Sequence, residues 1–370
     1  MSPRTTEIES LAHFDAAIGR TTNLHGWLIQ SVDLSERQEV LAAAEVQGAI
    51  FLGCTFAPGQ AAELTARDAF VFPSLPAVPF DPYRADLYTP EELYGPGHYG
   101  DGMDAAVYAW SQQAHRHHDL RSTLAIALHD HAITDALDEA TQHVPRERVV
   151  GVMGGHALLR DSPGYADAVR LGCQLTTAGR TVLTGGGPGA MEAANLGAYL
   201  SGHVASSAEE VVTEALAMLA TAPDFHAGLD PWAAAAMDVR RRWIPGRAGH
   251  SIGIPTWFYG HEPPNAFATE IAKYFTNALR EDTLLARCRG GIVYLPGAAG
   301  TVQEVFQAVT ENYYAADPAD IAPLVLVGRE HWTERLPVWP LLQALGRDRE
   351  MGSRIHLVDQ VGEAADILLG

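Results

Sequence analysis

The feature that most constrains this chain is the regular alternation, from residue 148 onward, of short apolar runs with stretches of helical periodicity. Val149-Val-Gly-Val-Met153 reads as a strand, Tyr165 to Ala178 as a helix closed by Gly179, Thr181-Val-Leu-Thr184 as a second strand and Pro188 to Leu200 as a second helix. Residues 207–242 supply one or two further helices. Ser251-Ile-Gly-Ile254 is a strand, 265–287 a helix, Gly291-Ile-Val-Tyr-Leu295 a strand and Thr301 to Tyr314 a helix. Pro323–Gly328 and Ile355–Val358 complete the set, each followed by a helix. Short runs of this kind, separated by helices, lie parallel in one sheet, because only a helical crossover returns the chain to the same edge. The expected fold class is therefore α/β: a Rossmann-like parallel sheet flanked by helices.

The first 145 residues differ in texture. Gln47-Gly-Ala-Ile-Phe-Leu-Gly-Cys54 reads as a buried strand and Phe70-Val-Phe72 as another. Residues 73–102, rich in Pro, Tyr and Gly, read as an irregular loop, and 104–140 as helical. The polar stretch Glu139 to Arg148, with Pro145 inside it, marks a boundary. This gives an additional N-terminal α/β domain over 1–145, with a regulatory, lid or oligomerisation role, and a nucleotide-binding domain over 146–370. No internal repeat is evident.

Composition excludes several function classes. With 45 acidic and 25 basic residues the net charge is −20, which disfavours nucleic acid and anionic membranes as partners. No run of 18 apolar residues would span a bilayer, and MSPRTTEIES lacks the apolar core of a signal peptide, so a cytoplasmic protein is expected. Cys54, Cys173 and Cys288 are odd in number and have no metal-type spacing. Lys273 is the one lysine of the chain.

In an open parallel sheet, ligands bind beyond the C-terminal ends of the strands. Three strand ends here are rich in glycine. Gly151-Val-Met-Gly154-Gly155-His156 admits close approach of a ligand to the backbone, or is a tight strand-to-helix turn. Thr184-Gly185-Gly186-Gly187-Pro188-Gly189-Ala190-Met191-Glu192 opens a helix, with Pro188 suited to its first turn, so its N–H groups and the helix dipole face an anion. Pro296-Gly297-Ala298-Ala299-Gly300-Thr301-Val302-Gln303-Glu304 does the same, Gly300 and Thr301 offering donors to a phosphate and Glu304 lying in the first helical turn. Thr301 and Glu304 also have the spacing of a capping box, in which Glu304 would bond back to the cap N–H.

The last segment is similar to the PGGxGTxxE signature of the Lonely Guy family, the cytokinin-activating phosphoribohydrolases. Thr184–Glu192 resembles the TGGGPGxME variant of its bacterial branch, which includes nucleotide 5′-monophosphate nucleosidases. The resemblance covers residues 148–370. It implies hydrolysis of the N-glycosidic bond of a nucleoside 5′-monophosphate, with no cofactor and no metal, by a homodimer or larger homo-oligomer. It also implies that Glu304 is the catalytic carboxylate. Thr184, Gly185, Gly186, Gly187, Gly189, Gly297, Gly300 and Thr301, together with Gly154 and Gly155, are the expected phosphate and nucleotide cradle. Ala298 replaces the second glycine of PGG. The ungapped position of the family's catalytic arginine is Glu281, and Arg280, one residue earlier, is assigned that role by a one-residue shift. A pyridoxal-phosphate decarboxylase, a label often given to this family, would need a Schiff-base lysine, and only Lys273 is available.

Further candidates surround this core. Trp257-Phe258-Tyr259 follows a strand end and supplies aromatic faces for a base, or else a core or interface patch. Glu192 would bind ribose hydroxyls or face solvent. Lys273 and Asn277 share a helical face with Arg280, Lys273 near a phosphate or solvated. His115, His117, His118, His129 and His131 invite a metal reading, but no HExxH or cysteine accompanies them. The alternatives are a nucleotide-sensing protein that binds without cleaving, a biosynthetic enzyme using an unusual nucleotide, and a transferase passing ribose phosphate to an acceptor other than water.

Overall fold

The computed structural model describes residues 6–75, 78–117, 119–203, 208–258 and 262–370, with the side chains of 115–117 left aside. The chain forms two compact units, Met1–Leu87 with Gln112–Leu137, and Tyr88–Ser111 with Asp138–Gly370. Each is a parallel α/β structure.

In the first unit, strands β1 (Thr6–Ile8), β2 (Trp27–Gln30), β3 (Ile50–Leu52) and β4 (Phe70–Phe72) lie side by side in sequence order, all parallel. Short helices, Leu11–Ile18, Gln38–Ala43 and Gln60–Ala66, make the crossovers. Register partners Glu7, Leu28, Ile50 and Phe70 stand in one row, so successive coils advance by 21, 22 and 20 residues. This is a structural repeat, contrary to the expectation of none. Its invariants are conformational. Gly26, Gly48 and Asp68 occupy equivalent places before their strands, with φ of +76°, +74° and +63°. The first two pass a backbone hydrogen bond to the next coil: Gly26 N–H to Gly48 O at 3.3 Å, Gly48 N–H to Asp68 O at 2.9 Å. Inside, Ile8, Ile29 and Phe51 stack as a fully buried column. Each such side chain contributes about 1.5–3 kcal/mol by leaving water. The long helical stretch is two helices, Met103–His117 and Leu120–Thr141, the second capped by Asp119 Oδ1, which accepts from Ser122 N–H at 3.0 Å.

The second unit holds a seven-stranded parallel sheet of β5 (Val149–Met153), β6 (Thr181–Thr184), β7 (Ser251–Gly253), β8 (Glu270–Ile271), β9 (Ile292–Tyr294), β10 (Leu324–Val327) and β11 (Ile355–Val358), in the order β11-β10-β9-β5-β6-β7-β8. Helices separate most of the strands, and every residue of β5, β6, β7, β9 and β10 is buried. This is the Rossmann-like architecture that the alternation predicts. From β5 the chain builds outward through β6, β7 and β8, then returns to β5's other edge and builds the opposite way through β9, β10 and β11. The order reverses between β5 and β9, and in open sheets ligands bind outside the carboxyl ends of the strands at such a reversal.

Two of the helix starts that differ from the sequence reading bear on the site. The helix expected over 265–287 begins only at Asn277 and ends at Arg287. Before it the backbone bonds to the sheet: Asn265 N–H donates to Gly186 O, Thr269 N–H to Ser251 O and Ala272 N–H to Gly253 O. Donors satisfied in that way, after Pro263-Pro264, have no helical partners to seek, and the short β8 is the result. The helix expected from Pro188 starts at Ala190, with Gly189 at its cap and φ of +72°. Among the described residues no helix is long and apolar enough to cross a membrane.

Candidate active site at the sheet reversal

The loops after β5, β6, β7 and β9 all leave the same edge of the sheet. Gly155 N–H donates to Pro296 O at 3.1 Å and Gly155 O accepts from Ala190 N–H at 3.1 Å, so the β5 loop is laced to the other two glycine-rich segments. A Cβ on Gly154 would stand 2.7 Å from Ala190 Cβ and 3.0 Å from Leu295 Cβ. The space is that of a close backbone approach.

Arg280, on the helix Asn277–Arg287, gathers three of the loops. Its Nε donates to Ile254 O at 2.7 Å, Nη1 to Glu304 Oε1 at 3.1 Å and Nη2 to Gly185 O at 3.3 Å. The guanidinium therefore spans the ends of β6 and β7 and the helix that carries Glu304. Its five fixed donors suit this fork better than a lysine would. Glu304 lies on the helix Ala299–Tyr314 and is buried, with Arg280 at one oxygen and Tyr294 Oη donating to its backbone carbonyl at 3.2 Å. Burial pushes the Glu304 carboxyl above the usual carboxylate range; Arg280 opposes this, and the neighbouring Glu281 adds to it. Glu281 is held by Asn277 Nδ2 at 2.7 Å and by Gln303 Nε2. The helix starts at Ala299 with Ala298 as its cap, so Thr301 is not a cap residue. Glu304 is committed to Arg280, and the capping-box reading does not hold.

The glycine loop after β6 is braced from below by two asparagines that sequence reasoning missed. Thr184 Oγ1 donates to Asn195 Oδ1 at 2.6 Å and accepts from Gly186 N–H at 3.0 Å. Asn265 Nδ2 donates to the same Asn195 Oδ1 at 3.0 Å and to Gly187 O at 3.3 Å, and its own Oδ1 accepts from Phe267 and Ala268 N–H. Thr184 is thus a support for the loop. Gly186, φ +70°, lies so close to the β7 end that a Cβ there would meet Ile254 N at 2.9 Å. On the other arm His331 Nε2 lies 3.0 Å from Gly297 O, and burial lowers the His331 pKa. Thr301 is buried beneath Gly297, while Gly300 faces open space.

Glu192 neither faces solvent nor stands free for a ribose. It is fully buried in a two-pronged pair with Arg160, whose Nε and Nη2 donate at 3.0 and 2.6 Å, and it also accepts from Tyr165 Oη at 3.0 Å. Lys273 is not on the Arg280 helix and is not solvated. It is completely buried, 2.6 Å from Asp104 Oδ1 and 5.0 Å from the centroid of the Trp257 ring. Burial lowers its pKa against the pull of Asp104.

The aromatic run divides. Trp257 is core: its Nε1 donates to Asp104 at 2.8 Å and its ring packs on Phe275 and Tyr88. Phe258 is half exposed, and Tyr259 lies outside the described residues. The side chains of His115, His117 and His118 also lie outside them. His129 is buried against Phe80, and that burial lowers its pKa. Among the described residues no group of three or more His, Cys, Asp or Glu is placed to hold a metal.

The missed residues left faint marks at best. Asn265 follows a Pro-Pro pair, which signals a break. Asn195 and Arg160 sit in ordinary helical and loop contexts, and only the tertiary fold reveals their partners.

No protein-family model and no curated protein matches the chain. Among solved structures, the molybdenum cofactor carrier protein of Chlamydomonas reinhardtii is similar at 18% identity over 59% of this chain and 93% of its own, with a TM-score of 0.35. The molybdenum cofactor binding protein of Rippkaea orientalis is similar at 18% identity over 60% of this chain and 94% of its own, with a TM-score of 0.34.

Proposed function

We propose that residues 146–370 form a Lonely Guy-like domain that hydrolyses the N-glycosidic bond of a nucleoside 5′-monophosphate, releasing free base and ribose 5-phosphate. The observation that carries this reading is the contact of Arg280 with Glu304 at the reversal point of the sheet, framed by two glycine-rich helix entries. As the C1′–N bond breaks, its electron pair leaves with the base and positive charge develops on C1′ and the ring oxygen. The Glu304 carboxylate stabilises that charge and positions the water whose oxygen bonds C1′ and whose proton is released toward the departing base. Arg280 fixes the Glu304 rotamer. The first turn of the helix at Ala299, and the first turn of the helix at Ala190 beyond the Ala190 N–H that Gly155 O takes, hold the phosphate. Phosphate binding then orients the ribose against Glu304. The reading extends to a cytoplasmic homodimer or larger assembly.

One observation favours a second reading, a nucleotide-binding module without turnover. Burial raises the Glu304 pKa, which works against the charged form that hydrolysis needs.

The test is incubation of the full chain with nucleoside 5′-monophosphates, with chromatography for free base and with Glu304→Ala in parallel. Base and ribose 5-phosphate released by the parent alone are expected. Monophosphates that raise the parent's Tm without any release of base would sink hydrolysis and leave the binding reading.

A further inference from the structure

Behind Pro188–Gly189 lies a cavity of about 130 Å3, enclosed by the loop that follows β5, the first turn of the helix Ala190–Ser201 and the segment Pro223–Trp232. Leu158, Leu159, Pro188, Phe225 and Trp232 give it apolar and aromatic walls. Phe225 meets Trp232 edge-on at 6.1 Å. The far wall is a built polar structure. Arg160 pairs with Glu192, donates to Trp232 O at 2.8 Å and to Ala222 O at 3.4 Å, and stacks 4.1 Å over the Trp232 ring. One buried guanidinium thus fixes three segments around this space.

We infer that this cavity is the nucleobase subsite, an inference that rests on the hydrolase reading above. Three observations lead there. The volume is well below the ~300–1,000 Å3 of pockets that enclose drug-sized ligands, and suits one ring system rather than a whole nucleotide. The charge is wrong for phosphate: Glu192 neutralises Arg160, and Asp224 on the lining adds a further carboxylate. A neutral heterocycle suffers no such repulsion and gains from aromatic edges. The position is right. The cavity shares Gly189 and His156 with the glycine-loop junction, where a Cβ on Gly189 would stand 2.7 Å from His156 O. On this inference the ribose lies on the Gly189 side of the cavity. The Trp257 ring, buried and bonded to Asp104, cannot take that role.

The test uses Leu159→Trp. Leu159 is 41% exposed at the cavity rim, so a larger side chain fills the space without removing any core. Calorimetric titration of the parent and the variant compares AMP, GMP, CMP and UMP with ribose 5-phosphate, which has no base. The expected result is a Kd at least about tenfold higher for every monophosphate that the parent binds, with the Kd for ribose 5-phosphate changed by less than about twofold. Retained ribose 5-phosphate binding also shows that the variant is folded. Equal weakening of both ligand classes would mean that the cavity serves the phosphate side, and unchanged monophosphate binding would put the base elsewhere. A parent that binds no monophosphate overturns this inference and the hydrolase reading together. Selective weakening with no base released by the parent removes hydrolysis and leaves the subsite standing.

Discussion

The two sheets of this chain are made of the same local unit, a parallel strand followed by a helix and another parallel strand, yet only the larger one reverses its strand order. In the first unit the strand order follows the chain, so each coil is laid beside the last and the order has no switch point. In the second the order reverses between β5 and β9, and the helices on either side of that point part to opposite faces. The glycine-rich segments with Gly154, Gly185–Gly189 and Gly297–Gly300 sit at this reversal. Local secondary structure is the same in both sheets; topology alone gives the second a switch point. The forces differ as well. The first sheet rests on an apolar column, Ile8, Ile29 and Phe51, and on left-handed turns. The second positions its loops with buried charge: Arg280 with Glu304, and Arg160 with Glu192.

That contrast can be broken or sharpened by substitution. The largest effect is expected from Glu192→Ala, which leaves Arg160 buried without its carboxylate and should cost about 3–5 kcal/mol, read by urea unfolding. A loss below about 1 kcal/mol would mean that charge does not hold the glycine-loop helix. Next comes Glu304→Gln, which should lower base release by about 10²–10³-fold while the fold is kept.

The same variant separates by pH. Burial raises the folded-state pKa of Glu304 above its unfolded value, so the folded chain holds that proton more tightly. The resulting stability is present below the unfolded pKa and is lost as pH rises through the elevated folded value. Glu304→Gln has no such loss, so its Tm relative to the parent should climb across the window just above the ordinary carboxylate range. The acid limb of the parent's turnover should lie in the same window. A Tm difference that stays flat with pH would show that Glu304 is not perturbed.

Smaller effects belong to the coils. Gly48→Ala places a Cβ at φ +74° against the His25 ring and should cost about 1–2 kcal/mol. Asp68 holds the equivalent left-handed place, and Asp68→Gly should therefore stabilise by a few tenths to about 1 kcal/mol, seen as a raised Tm. If Asp68→Gly destabilises instead, the three turns are not equivalent and the repeat is only apparent.

Much of the second unit was legible because its strands are apolar on both faces and end in glycine clusters. Six of its seven strands lie where the residues place them. β8 was hidden because two residues carry no period, and the N–H groups of Ala268–Ala272 bond to β7, Tyr88 O and the Asn265 side chain, which denies the segment a helix. The coils of the first unit were hidden for a different reason. Their strands are three or four residues long and their helices six to eight, below the length at which period 2 and period 3.6 can be told apart. What repeats is a sign of φ, filled by Gly twice and by Asp once. Glu192 misled because helix position says nothing about which tertiary partner arrives, and its partner is 32 residues away.

The burial of Lys273 has a practical side. Because it is the one lysine of the chain and is sealed against Asp104 and Trp257, the folded surface offers no side-chain amine to acylating reagents. Modification of that single residue, followed by mass spectrometry after timed exposure, becomes a clock for opening of the second unit. A nucleotide that slowed the clock would report its own binding without any label, whether or not it is cleaved.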